Sequence, residues 1–230
     1  MPAPLAFHFD FSSPYGYLGA EKIEALAARH GRGVDWRPML LGVAFKATGG
    51  QPLTSIPIKG DYTKRDIPRS ARFHGIRFNM PAKFPIATQA PARIVLWQRA
   101  RDPGGVGRLV KTLYRAYFVD GRDIDDPDVA ADVAATVGAD RDTARAVVDD
   151  PVWKDALRRE VESAMAKGVF GSPFVFVPRD EGPGQDGRST AAAGSGVAQT
   201  QAPGDDPGEP FWGIDRFDQI DRWLAEGAFR

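Results

Sequence analysis

The chain has 230 residues, among them 30 basic and 30 acidic side chains, so its formal charge at pH 7 is zero. This balance excludes the strongly basic surface typical of proteins that bind nucleic acids or anionic membranes, and we expect small organic molecules or proteins as partners instead. The absence of cysteine excludes a disulfide framework, a thiolate metal site and a nucleophilic protein thiol. The three histidines, His8, His30 and His74, are too scattered to indicate a metal site.

The first residues carry no signal-peptide pattern, and no stretch of about 18 apolar residues follows them. We therefore expect a soluble, cytoplasmic protein that does not cross a membrane. Its partners should be small molecules or proteins rather than lipids or nucleic acids.

The amino-terminal part of the chain predicts a strand, a helix and a second strand. Apolar residues alternate over residues 5–11, which is typical of a strand. Ser13 is a good N-cap and Pro14 suits the first helical position, and the apolar stripe of this helix ends at His30. Residues 34–41 predict the second strand. A helical connection of this length indicates that the two strands are parallel.

The middle of the chain predicts a run of helices with clear breaks between them. These helices span residues 60–74, 89–101, 106–119, 127–137, 141–149 and 152–167. Pro68 should kink or break the first of them, because proline lacks the N–H that the helix needs. After the helices, residues 169–177 predict a strand that the chain enters through Ser172 and Pro173, and residues 210–224 predict a short strand and an amphipathic helix.

This order of elements predicts an α/β core that is interrupted by a helical domain. We expect residues 1–45 and 168–230 to form the core, and residues 46–167 to form the helical insertion. Residues 179–209 are rich in Gly, Ala, Ser, Asp and Pro and have almost no apolar side chains, so they predict a flexible surface insertion.

Five segments, in their order along the chain, resemble one family. They are "FDFSSPYGYL" (9–18), "KGDYTKRDIPRSARFHGI" (59–76), "KFP" (83–85), "GVFGSPFVFV" (168–177) and "FWGIDRFDQIDRWL" (211–224). The chain resembles the glutathione-dependent 2-hydroxychromene-2-carboxylate isomerases and their relatives, the kappa-class glutathione transferases. The resemblance implies a DsbA-like thioredoxin fold, in which an all-helical domain lies between the β-α-β and β-β-α halves. It also implies glutathione as the cofactor, an aromatic-derived 2-oxo acid as the substrate, and a homodimer.

Ser13 stands where a cysteine-based thioredoxin relative carries its reactive cysteine. Free N–H groups and the dipole at the amino end of a helix favour a thiolate there, but a serine cannot exchange disulfides. The local sequence makes Ser13 an N-cap, and the resemblance adds a catalytic hydrogen bond to the glutathione thiolate. Ser12 should point the other way, and Pro14 and Tyr15 are structural residues that could line the substrate pocket.

The resemblance assigns glutathione contacts to Lys59, Ser172, Pro173, Asp215 and Arg216. It implies that the Ser172–Pro173 bond is cis, which leaves the backbone of Ser172 free to pair with the cysteinyl part of glutathione. Asp215 should contact the γ-glutamyl end and also cap the last helix. Lys59 should face the glycyl carboxylate, although Lys59 and Arg216 also fit ordinary exposed positions.

One position departs from the family, because Ala87 stands where relatives often carry asparagine. The function that the resemblance implies is isomerisation by reversible addition of the glutathione thiolate to a conjugated double bond. A kappa-type transferase that conjugates glutathione to electrophiles is one alternative. A non-catalytic thioredoxin-fold binding module is another.

Overall fold

The computed structural model of the protein describes residues 2–179 and 207–227. Most of the predicted insertion at 179–209 lies outside the described residues. The helices within those ranges do not combine the length and apolar character that a bilayer crossing requires. The cytoplasmic location, the homodimer and the division of the chain into a core and a helical domain stay predictions.

In the described residues, four strands form one mixed sheet in the order β2-β1-β3-β4. They are β1 (Leu5–Phe9), β2 (Val34–Pro38), β3 (Phe174–Val177) and β4 (Glu209–Trp212). The parallel pairing of β1 with β2 is as predicted, and both the β1–β3 and the β3–β4 pairs are antiparallel. The sheet therefore brings the carboxyl end of β1 beside the start of β3.

Three of the strands are shorter than the sequence predicts. Strand β1 ends at Phe9 because the chain turns directly after it, where the Ser13 N–H donates to the Asp10 carbonyl over 2.8 Å. Strand β2 ends at Pro38 because a helix begins at Leu41. The third, β3, begins only after Ser172 and Pro173.

The helices in the described residues cover both faces of this sheet. They are α1 (Pro14–Arg29), α2 (Leu41–Thr48), α3 (Lys59–Phe73), α4 (Gln89–Arg101), α5 (Val106–Phe118), α6 (Pro127–Ala135), α7 (Arg141–Asp149), α8 (Pro151–Ala166) and α9 (Phe217–Glu226). The six predicted middle helices lie within about two residues of their predicted ends, and α2 was not predicted as a separate element. Helix α3 continues through Pro68, so the predicted break is wrong. Proline removes one backbone donor, and the buried side chains of Ile67 and Ala71 hold the helix on both sides of it.

The two faces of β1 contribute to different parts of the core. Phe7 and Phe9 pack on one face against Trp36, with ring centroids 5.2 and 5.9 Å away. His8 points to the other face, where its ring meets the edge of Phe176 at 5.7 Å. Burial of the imidazole is the main cause that lowers the pKa of His8 to about 4.

The buried imidazole of His8 predicts a pH-dependent stability. Because the pKa is about 4 in the folded protein and 6.5 for an ordinary exposed histidine, the neutral ring stabilises the fold above pH 6.5, and this contribution is lost as the pH falls towards 4. Between pH 7 and pH 4, the free energy of unfolding of the wild type should fall by up to about 3 kcal/mol more than that of His8→Leu. Urea denaturation of both proteins across this range checks it, and parallel pH profiles would contradict it.

Candidate active site

A cleft of about 1200 Å³ opens at the amino end of α1. Its walls come from the starts of α1 and α2, the inner face of α3, the loop before α4, and the residues around the starts of β3 and α9. Several large apolar side chains line it: Leu53, Phe73, Phe84, Phe170 and Trp212. A concave, mainly apolar surface with a few polar groups is typical of a small-molecule site.

Ser13 is the N-cap of α1, as the sequence predicts. Its Oγ accepts a hydrogen bond from the Gly16 N–H at 2.9 Å and donates one to the Ser172 carbonyl at 2.8 Å. The side chain lies in the cleft wall, although the residue is only 5% exposed. The single hydroxyl hydrogen of Ser13 is therefore committed to a backbone carbonyl.

The Ser172–Pro173 bond is cis, as the resemblance implies. The Ser172 hydroxyl accepts a hydrogen bond from the Asp10 N–H at 3.0 Å. The hydroxyl and the carbonyl of Ser172 are therefore both held against the turn before α1. Pro173 is not in the cleft lining, because it is buried against α1. A Cβ placed on Gly19 would lie 3.0 Å from the Pro173 Cγ, so glycine allows this close contact.

Asp10 is a buried carboxyl group in the wall of the cleft. Its oxygens accept hydrogen bonds from the Ser12 N–H (2.7 Å), the Leu41 N–H (2.6 Å) and the Thr88 hydroxyl (3.0 Å). The pKa of Asp10 is raised, and the largest cause of this shift is burial. The three hydrogen bonds oppose the rise because they stabilise the ionised form. The carboxylate thus joins the amino ends of α1, α2 and α4. Sequence reasoning missed it, although a charged residue directly after an apolar strand was a usable signal.

Ser12 faces the cleft, so the prediction that it points away is wrong. The alternation of a strand does not reach Ser12, because β1 ends at Phe9 and the chain has already turned. The Ile86 N–H donates to the Ser12 Oγ at 3.2 Å. Ser12 therefore contacts the loop before α4, on which Ala87 also lines the cleft.

Pro14 and Tyr15 also lie in the cleft lining. The Tyr15 hydroxyl donates to the Asp66 carboxylate at 2.6 Å. Burial and this hydrogen bond hold the pKa of Tyr15 above its ordinary range, so the phenol stays protonated at neutral pH. With its hydrogen committed to Asp66, Tyr15 shapes the cleft and fixes it to α3. The substrate contact predicted for it stays a prediction.

The remaining predicted glutathione residues lie in two different places. Asp215 and Arg216 line the cleft and form an ion pair, with 2.9 Å between the Arg216 Nη1 and the Asp215 Oδ2. Asp215 does not cap α9, so that prediction is wrong: a 3₁₀ turn comes first, and Arg216 is the N-cap. Lys59 is exposed at the start of α3 and is not among the described residues that line the cleft.

The sequence matches the profile of the DSBA-like thioredoxin domain over residues 5–223. The chain belongs to the DSBA-like thioredoxin family. Membership confirms the predicted fold, in which the amino end of α1 faces the cis proline that precedes β3.

Known members of this family with similar sequences are isomerases and glutathione transferases. The 2-hydroxychromene-2-carboxylate isomerase of Sphingobium xenophagum is 27% identical over 228 residues, which cover 98% of this chain and 100% of that protein. Glutathione s-transferase kappa 2 of Caenorhabditis elegans is 27% identical over 184 residues, 76% of this chain and 81% of that protein. The resemblance predicted from five segments is thereby confirmed.

A solved structure shows the same fold. The structure of a 2-hydroxychromene-2-carboxylate isomerase superposes with a TM-score of 0.74 at 21% identity, over 96% of this chain and 94% of that one. This similarity shows that the two proteins share the fold.

The three donors on Asp10 generate a prediction about stability. Asp10→Ala leaves these donors without their acceptor, and we expect the free energy of unfolding to fall by roughly 3 kcal/mol. Thr88→Val is the matched control, because it removes one donor and keeps the other two, and it should cost about 1 kcal/mol. Urea denaturation measures both. Equal stability of the two variants would show that the carboxylate does not hold the three helix ends.

Proposed function

We propose that the protein is a glutathione-dependent isomerase of an aromatic-derived 2-oxo acid. The observation that carries this proposal is the Ser13 hydroxyl at the amino end of α1, bonded to the Ser172 carbonyl at the edge of an apolar cleft. The names of the similar isomerases and transferases support the reaction class and the use of glutathione. The chain has no cysteine, so the thiol must come from the ligand.

The first turn of α1 has a vacant donor for a glutathione thiolate. Pro14 has no N–H, the Gly16 N–H is used by the Ser13 hydroxyl, and the Tyr17 N–H is used by the Ser13 carbonyl. Within the described part of the chain, the Tyr15 N–H has no acceptor. It stands at the positive end of the helix dipole and on the cleft wall.

These interactions are large enough to ionise the thiol. Lowering the pKa of glutathione from about 8.5 to about 6.5 requires roughly 2.7 kcal/mol in favour of the thiolate. A partly buried helix end contributes up to about 2 kcal/mol, and a hydroxyl that donates to a charged acceptor contributes about 1.5 to 3 kcal/mol. The two together suffice.

Glutathione must release the Ser13 hydrogen from the Ser172 carbonyl before Ser13 can serve the sulfur. If the cysteinyl residue of glutathione pairs with Ser172 as an added strand, its amide N–H donates to that same carbonyl. The Ser13 hydrogen can then rotate to the sulfur, while its oxygen still accepts the Gly16 N–H. In this proposal the ligand's own backbone frees the catalytic hydroxyl.

The chemistry follows from addition of the thiolate to a conjugated double bond. The sulfur electron pair forms the new S–C bond, and the π electrons move to the carbonyl oxygen. The former double bond is now single, so the carbon skeleton rotates about it. Return of the electrons from the oxygen re-forms the double bond in its new geometry and expels the thiolate. The Asp215–Arg216 pair would hold the charged γ-glutamyl end of glutathione.

Titration of the wild type with glutathione tests this site. Thiolate absorbance in the ultraviolet should give a bound thiol pKa of about 6.5, and Ser13→Ala should raise it by about one unit because the hydroxyl donor is lost. Ser13→Thr is the control, because threonine keeps both the cap and the hydroxyl. A wild type without thiolate at neutral pH contradicts the proposal and favours the non-catalytic binding module.

Glutathione transfer is the second candidate function, because the chain is also similar to a kappa-class transferase. Analysis of the reaction product separates isomerisation from transfer. With 2-hydroxychromene-2-carboxylate and glutathione, we expect a product that has the mass of the substrate but a different chromatographic retention time, and an unchanged amount of glutathione, as liquid chromatography with mass spectrometry would show. A stable glutathione adduct would instead support the transferase.

A further inference from the structure

The two adjacent serines use their hydroxyl groups differently. The Ser13 hydrogen is committed to the Ser172 carbonyl, whereas Ser12 only accepts a hydrogen bond, from the Ile86 N–H at 3.2 Å. Within residues 2–179 and 207–227, no acceptor lies within reach of the Ser12 hydroxyl hydrogen. Ser12 is partly buried and lines the cleft, so its hydrogen is available to a bound molecule.

The Ser12 hydroxyl is held in place from two sides. Its own N–H is fixed by the Asp10 carboxylate at 2.7 Å, and its oxygen is fixed by the backbone of the loop before α4. That loop is anchored in turn, because the Tyr117 hydroxyl donates to the Lys83 carbonyl at 2.7 Å and the Thr88 hydroxyl donates to Asp10. Because Ile86 occupies one lone pair, the hydrogen of Ser12 must point away from the loop.

We propose that Ser12 donates a hydrogen bond to the substrate oxygen that becomes negative when the glutathione thiolate adds to the double bond. This inference rests on the proposed function and adds a second catalytic hydroxyl to it. Ser13 bonds Ser172, where the peptide of glutathione would lie, and Ser12 bonds the loop before α4. The two hydroxyls therefore face the sulfur and the substrate oxygen, respectively. No proton is transferred, because the electron pair returns from that oxygen when the thiolate leaves.

The position of Asp10 explains why a donor is needed there. Its carboxyl group accepts the Ser12 N–H and also lines the cleft, so in its ionised form it would repel a second negative charge nearby. A fixed hydroxyl donor on Ser12 offsets this repulsion only when the substrate oxygen becomes charged. Such an interaction stabilises the transition state more than the bound substrate.

Turnover and thiol ionisation, measured together, give the first test. At saturating glutathione, Ser12→Ala should lower kcat for 2-hydroxychromene-2-carboxylate by about tenfold to a hundredfold. The pKa of the bound thiol should stay at its wild-type value. Ser12→Thr keeps a hydroxyl and should restore most of the rate. An unchanged kcat overturns the inference, and so does a raised thiol pKa in Ser12→Ala, because the hydroxyl would then serve the sulfur.

A binding test without glutathione separates this inference from the proposed function. The affinity of the protein for 4-nitrophenolate, divided by that for the uncharged 4-nitroanisole, reports stabilisation of an anionic oxygen. We expect this ratio to fall about tenfold in Ser12→Ala and to stay unchanged in Ser13→Ala. Equal ratios in wild type and Ser12→Ala overturn the inference. A reduced ratio supports it even if glutathione is not ionised and the proposed function fails.

Discussion

The hydrogen bond from the Ser13 hydroxyl to the Ser172 carbonyl joins two residues that are 159 positions apart in the chain. It depends on the sheet order, because β1 leads into α1 and its antiparallel neighbour β3 begins beside the same turn. The bond sets the amino end of a helix against the backbone that precedes a cis proline. Everything proposed about the cleft depends on this juxtaposition, since it places a helix dipole, a hydroxyl and the backbone of Ser172 around one point.

The buried Asp10 carboxylate keeps this arrangement rigid. It binds donors from the starts of three helices, two of which are far from it in sequence. Burial of a carboxylate is costly, and the cost is offset only because each oxygen receives donors from these helix ends. In its ionised form the same group makes the site unfavourable for further negative charge. The hydroxyls of Ser12 and Ser13 and the Tyr15 N–H are therefore the groups that would allow an anionic sulfur and an anionic oxygen to bind.

Features with a local physical cause could be predicted from the sequence. The N-cap at Ser13 follows from the side-chain chemistry of serine before proline, and the strands and middle helices follow from apolar periodicity. The cis bond at Pro173 came from resemblance, because no local pattern specifies it. The role of Asp10 depends on Leu41 and Thr88, which only the folded chain brings to it. Ser12 was misplaced because β1 already ends at Phe9, and Asp215 was misplaced because a 3₁₀ turn precedes α9, which begins only at Phe217.

A crystal structure of the protein with glutathione would test the central claim most directly. The account predicts that the sulfur lies within hydrogen-bond distance of the Tyr15 N–H and the Ser13 hydroxyl, and that the cysteinyl amide donates to the Ser172 carbonyl. Glutathione bound with its sulfur away from the amino end of α1, or no glutathione in the cleft at saturating concentration, would contradict it.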